Sequence, residues 1–174
     1  MDKKRPDSSV SSSTKSARSG SGPNYWLLKS EPDVFSWADQ KERGAAGEPW
    51  TGVRNYLARN NMRAMQIGDL AYFYHSNIGK EIVGIVRVIA LAHPDPDDTT
   101  GTWECVDVEA VRDLPRPVTL GDVKANPELA GMALVTSMRL SVQPVTHQEW
   151  AIVCKMGGLS AKDVSGLAIA KRSK

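Results

Sequence analysis

Between residues 25 and 154 the apolar positions come in short runs divided by turn residues, the pattern of a sheet accompanied by short helices. Residues 25–29 read as a strand, stopped by the turn-like Ser30-Glu31-Pro32-Asp33. Ser36 with Asp39 three positions on is a capping box that opens a short helix, and residues 43–49 read as a loop. The stretch 53–65 holds no proline or glycine and many helix formers, which predicts a helix with Thr51 as its N-cap. Gly68-Asp69 then turns the chain into an aromatic strand over 70–76. Residues 81–91 are β-branched and apolar on both faces, as in a central strand, and Gly84 within it marks a bulge or a close approach. An acidic, proline-bearing stretch over 93–101 reads as a surface loop, with strands following at 103–111 and 138–142. Thr146 and Glu149 form a second capping box, starting a helix whose apolar side is Trp150, Val153 and Cys154. These elements predict an α+β domain built round a curved sheet or small barrel.

The flanks differ from this middle. Residues 1–23 are Ser, Lys, Arg and Gly with almost no apolar content, too little to offset the entropy of folding. Residues 155–174 are expected to be a second basic tail, with a short helix available at 164–170. Charge follows the same division. Residues 1–23 carry five bases against two acids, and 155–174 five against one, so 24–154 holds 12 bases and 17 acids. A net-acidic domain does not bind nucleic acid through a broad basic face, and any anion site in it must be local and shaped.

The longest apolar stretch, 82–92, is interrupted by Arg87 and is far short of the roughly 18 residues a membrane span needs. No apolar segment follows the basic start, so no secretory leader is expected, and the expected location is cytoplasmic, or nuclear in a eukaryote. The two cysteines, Cys105 and Cys154, form no CxxC pair, which argues against a disulfide scaffold or structural zinc. His75, His93 and His147 share no metal-ligand spacing, and no catalytic signature motif occurs. No metal, cofactor or catalytic residue is therefore expected.

Three clusters set polar residues beside large rings: Lys29-Ser30-Glu31-Pro32, residues 50–56 (WTGVRNY) and residues 72–76 (YFYHS). That mix suits a pocket for a flat heterocycle, with rings on its faces and fixed donors at its edge. Each aromatic also has a reading as core, because an alternating strand buries half its side chains. Asn55, Arg59 and Arg63 share one helical stripe, either a solvated face or a rail for a nucleic-acid backbone.

YWLLKSEP, WTGVRNYLARNNMRAM, AYFYHSN and RLSVQP stand in order from Tyr25 to Pro144. In these stretches the chain resembles the EVE domain family, over about residues 25–154. The resemblance implies a PUA-like fold, a small mixed β-barrel of about five to six strands flanked by short helices and related to YTH domains. It implies a monomeric, non-catalytic reader of a modified nucleobase in DNA or RNA. The family motifs fall on Lys29, Ser30, Glu31 and Pro32, on Trp50, Gly52, Val53, Arg54, Asn55 and Tyr56, on Tyr74, His75 and Ser76, and on Ser141, Gln143 and Pro144. Thr51 stands where relatives often carry an acid. On this reading Trp50 and Tyr74 wall the pocket, Ser30, Asn55 and His75 read the base edge, Arg54 holds a flanking phosphate, and Lys29 and Ser76 complete the site. The rivals are an enzyme on modified nucleotides or bases with His75 as general base, and a module for a small molecule or a protein.

Overall fold

The computed structural model describes residues 22–169, so the expected N-terminal tail lies almost wholly outside the described residues. Six strands, β1 (Tyr25–Ser30), β2 (Glu48–Pro49), β3 (Leu70–His75), β4 (Glu81–Pro94), β5 (Glu104–Thr119) and β6 (Val142–Val145), form one sheet in the order β2-β5-β4-β3-β1-β6. β1 runs parallel to β3, and the remaining pairings are antiparallel. The class is α+β, as expected, but the hydrogen-bonded order is open and does not close into a barrel. Helices α1 (Trp37–Glu42), α2 (Tyr56–Ala64), α3 (Leu120–Ala125), α4 (Ala133–Thr136), α5 (His147–Met156) and α6 (Ala161–Ile169) flank it. No helix among the described residues is long and apolar enough to cross a membrane.

Strand alternation divides the interior into two cores. Leu27, Leu70, Tyr72 and Tyr74 belong to one, with Val123, Leu134, Trp150, Val153 and Leu167 from α3 to α6. Trp26, Leu28, Ala71 and Phe73 belong to the other, with Trp37, Trp50, Ala58 and Met62. Gly84 is both things its position suggested. The β4 register shifts beside it, and a Cβ there would overlap the Trp37 ring. Asp69, 1% exposed, is fully used: it accepts from Trp26 Nε1 at 3.0 Å and from the amides of Asn24 and Gln66 at 3.1 and 2.9 Å. A buried carboxylate is tolerated where several donors replace its water.

Several sequence expectations need correction. The helix expected over 53–65 begins only at Tyr56, and its N-cap is Asn55, whose Oδ1 accepts from the Ala58 amide at 2.9 Å. Thr51 does not cap it, because residues 50–52 are held to the sheet: Trp50 N–H donates to Val106 O at 2.8 Å and Gly52 N–H to Asp95 Oδ2 at 2.9 Å. The 43–49 loop contains a 3-10 turn, Gly44–Ala46, and β2 paired to β5. His93 and Pro94 are strand rather than loop, and β5 extends to Thr119, with Leu114 and Val118 buried between exposed positions. The strand expected at 138–142 is shifted to Val142–Val145. In the segment expected as a C-terminal tail, Leu159 and Leu167 are buried in the first core, and Arg112 reaches Asp163 at 3.1 Å.

Candidate functional site

The face carrying Trp37 and Trp50 opens into a cleft of about 480 Å³. Its walls come from the end of β1 (Lys29, Ser30), the turn that follows (Glu31, Val34, Phe35), Arg43, and residues 48–52. Trp50 is 7% exposed and meets Phe73 and Phe35 edge-on, at 5.5 Å and 90° and at 6.3 Å and 83°. Ser30 Oγ donates to Phe35 O at 2.5 Å, which folds the turn back over the strand end. An Arg43–Glu48 ion pair at 2.8 Å crosses the wall, with the Arg43 guanidinium 5.7 Å from the Phe35 ring centre. Gly47 makes this loop possible. It sits at φ +71°, and a Cβ would lie 2.5 Å from Ile89 Cδ1 and 2.7 Å from Val108 O, so only glycine brings β2 against β5.

Next to the cleft, Asp95 is 2% exposed and binds Gly52 N–H, Arg54 Nη1 and the Asp97 amide at 2.9, 3.0 and 2.7 Å. Burial alone would raise its pKa, but these donors outweigh burial and hold it below the usual value of 3.8. Arg54, expected to hold a phosphate, is committed to this carboxylate. The stripe of Asn55, Arg59 and Arg63 is likewise engaged: Asn55 caps α2, Arg59 donates to Thr102 O at 2.9 Å, and Arg63 pairs with Glu104.

The opposite face holds a smaller hollow of about 140 Å³ lined by Lys29, Tyr74, Ser76, Lys80, Leu134 and Met138, among others. Lys29 Nζ donates to Met138 O at 2.6 Å and stands 5.9 Å from the Tyr74 ring centre. Burial lowers the Lys29 pKa and raises that of Tyr74. The two expected aromatic walls, Trp50 and Tyr74, therefore lie in different cores and do not meet. His75 lies under α1, where its Nε2 accepts the Trp37 amide at 3.0 Å. Burial holds this imidazole below its ordinary pKa, opposed by Glu81. Both thiols are pushed up by burial, Cys105 to about 12 with neighbouring carboxylates adding to it, and Cys154 to about 11 against a Tyr72 hydrogen bond.

Of the expected site residues, the cleft gathers Lys29, Ser30 and Trp50; Lys29, Tyr74 and Ser76 meet on the other side, while Arg54, Asn55 and His75 support neighbouring segments. Phe35, Arg43 and Glu48 are additional lining residues that local patterning missed. The signal available for the last two was the pair of glycines flanking Ala45-Ala46.

The sequence pattern of the EVE domain matches residues 24–156. The chain belongs to the EVE domain family. Solved relatives place the domain in context. Protein Atu2648 from Agrobacterium tumefaciens is 63% identical with a TM-score of 0.76, over 79% of this chain and 95% of its own. Human THYN1, in a crystal structure with DNA containing 5-methylcytosine, is 34% identical with a TM-score of 0.72, over 79% of this EVE domain chain and 99% of its own. The YTH domain of Zygosaccharomyces rouxii MRB1, at 15% identity and a TM-score of 0.50 over 79% of this chain and 89% of its own, shares the fold.

Proposed function

We propose that this EVE domain is a non-catalytic module that takes a modified nucleobase of DNA or RNA into the cleft between Ser30 and Trp50. The likeness to human THYN1, whose structure contains 5-methylcytosine DNA, carries this reading. The cleft supports it in three ways. Its volume, about 480 Å³, falls within the roughly 300–1,000 Å³ typical of ligand sites. Phe35 and Trp50 supply apolar walls, and the Ser30 hydroxyl, the Glu31 and Glu48 carboxylates and the Arg43 guanidinium supply edge donors and acceptors. The domain's acidic balance suits one extruded base better than a long phosphate track.

Extrusion costs a few kcal/mol, and stacking returns roughly 1–3 kcal/mol per aromatic contact. Edge hydrogen bonds in the desolvated cleft then separate one base from another, since an unpaired buried polar group is expensive. Arg54 and Asn55 act here through position: Arg54 with Asp95 holds the 52–54 segment, and Asn55 caps α2. The chemistry of the neighbouring groups favours binding over turnover. The His75 Nε2 is already occupied by Trp37 N–H, and both thiols are protonated at neutral pH.

Isothermal titration with matched single-stranded oligonucleotides, DNA and RNA, with and without methylated bases, tests the proposal. One modified oligonucleotide should bind more tightly than its unmodified match, and Phe35→Ala should weaken it by ~1–3 kcal/mol, roughly 5- to 150-fold, while the fold is retained. Equal affinity for modified and unmodified strands, or binding untouched by Phe35→Ala and Ser30→Ala, would overturn it.

A further inference from the structure

Away from the cleft, at the distal end of the β4–β5 ribbon, His93 faces Cys105 across the strands, and Asp107 stands two residues along β5. The register shift between Ala90 and His93 puts an extra residue into β4, which swings the His93 ring toward both partners. From these contacts we infer that His93, Cys105 and Asp107 form a binding site for a zinc-type divalent transition-metal ion, with its fourth position left to water. The site is independent of the base-reading proposal.

Three donor atoms of different kinds converge here. His93 Nε2 lies 2.8 Å from Asp107 Oδ1 and 3.7 Å from Cys105 Sγ, and one donor atom from each residue falls within 4.8 Å of the others. Ligands at about 2.0–2.3 Å round a tetrahedral ion stand roughly 3.3–3.8 Å from each other. The sulfur–nitrogen separation meets this, while the sulfur also stands 3.9 Å from Nδ1, so the ring must turn to aim Nε2 at an ion shared with the thiol. The nitrogen–oxygen pair must open by about half an ångström, which two half-exposed side chains allow, at 38% and 29%. Cys105 is buried and supplies the fixed point.

His93 Nδ1 also lies 3.2 Å from Pro94 O, and a hydrogen bond on that side would fix the ring with Nε2 free for an ion, as an outer hydrogen bond does for a metal-binding histidine. The surroundings are electronegative. Asp95, Asp97, Glu104 and Asp107 all act on Cys105, and although Arg54 and Arg63 pair with two of these carboxylates, the others remain. Burial and these carboxylates keep the free Cys105 thiol protonated, so binding would release that proton to solvent, and the resulting thiolate, with imidazole and carboxylate, selects zinc or cobalt over magnesium or calcium. Asp95, two residues beyond His93, binds the Gly52 amide, so the ion would brace the segment that holds the cleft wall.

The test is a cobalt titration of the full chain after chelator treatment. One equivalent should give the visible absorption of tetrahedral cobalt and a near-ultraviolet thiolate-to-cobalt charge-transfer band, and added zinc should remove both. Cys154→Ser should keep the band and Cys105→Ser should lose it. Asp107→Asn, at a partly exposed position and thus compatible with folding, should weaken cobalt binding by roughly 10- to 100-fold without changing the melting curve of the metal-free protein. Absence of the thiolate band in the wild type, its survival in Cys105→Ser, or unchanged cobalt affinity in both Asp107→Asn and His93→Gln would overturn the assignment.

Discussion

The two faces of the β1–β3 pair use similar residues to different ends. Under α5, Tyr25 and Tyr72 stack on Trp150 at 4.3 and 4.0 Å, and the Tyr72 hydroxyl donates to Trp150 O at 2.7 Å. Rings there cover each other's faces, and the core is closed. On the other side Trp50 meets Phe73 and Phe35 edge-on, and Trp50 and Phe35 both border the cleft. Edge contacts leave ring surface for a guest, whereas stacked contacts consume it. Both arrangements come from one strand, since Tyr72 and Tyr74 point one way and Phe73 and His75 the other. The closed face contributes stability; in the proposed function the open face contributes the place to bind.

The comparison can be broken most directly at the two tryptophans. Trp150→Ala should cost ~3–5 kcal/mol in urea unfolding, because a dry void replaces a fully buried ring. Trp50→Ala should fall near ~3 kcal/mol, since water can enter the enlarged cleft, and a larger loss there than at Trp150 would end the distinction. Gly84→Ala should follow at ~1–3 kcal/mol by displacing Trp37 and its 2.6 Å bond from Nε1 to Asp113. Asn55→Ala should remove about 1 kcal/mol as a lost cap, with the preference for a modified base unchanged; a lost preference would return Asn55 to the binding surface. The smallest effect concerns His75. Burial holds its pKa below 6.5, so the folded state binds this proton less readily than the unfolded chain. Its contribution is complete above 6.5 and is lost as pH falls through the folded value. Melting curves from pH 7.5 to 5 should show that loss in the wild type and less of it in His75→Gln, whose amide oxygen can still accept from Trp37.

Much of the fold was legible because local chemistry agreed with tertiary demand. The capping boxes at Ser36 and Thr146, the apolar side of α5 and the tight spot at Gly84 all occur as their residues suggested. The start of α2 was not legible. Residues 51–55 have no helix breaker apart from Gly52, and what keeps them extended is a set of bonds to Val106 and Asp95, distant in sequence. The second half of β5 was hidden by Pro115 and Pro117, and α3 and α4 are too short to show periodicity. At the cleft, family motifs cover the lining residues Lys29, Ser30 and Trp50, but clustering in sequence does not assign faces. Tyr74 adjoins Phe73 in the chain and is separated from it by the sheet. His93 and Cys105 come together only through a hairpin register that no local window contains.

The position of β1 has a further consequence, for biosynthesis. Among the described strands this one leaves the ribosome first, yet it sits between β3 and β6, whose last residue is Val145. The β3–β4–β5 meander can form from neighbouring segments, while β1 must wait for a partner some 40 residues downstream and then for a second beyond residue 140. A nascent chain that stalls between His75 and Val142 therefore displays β1 with one edge unpaired, open to pairing with another copy. Translation of four residues near the end of the domain closes that edge.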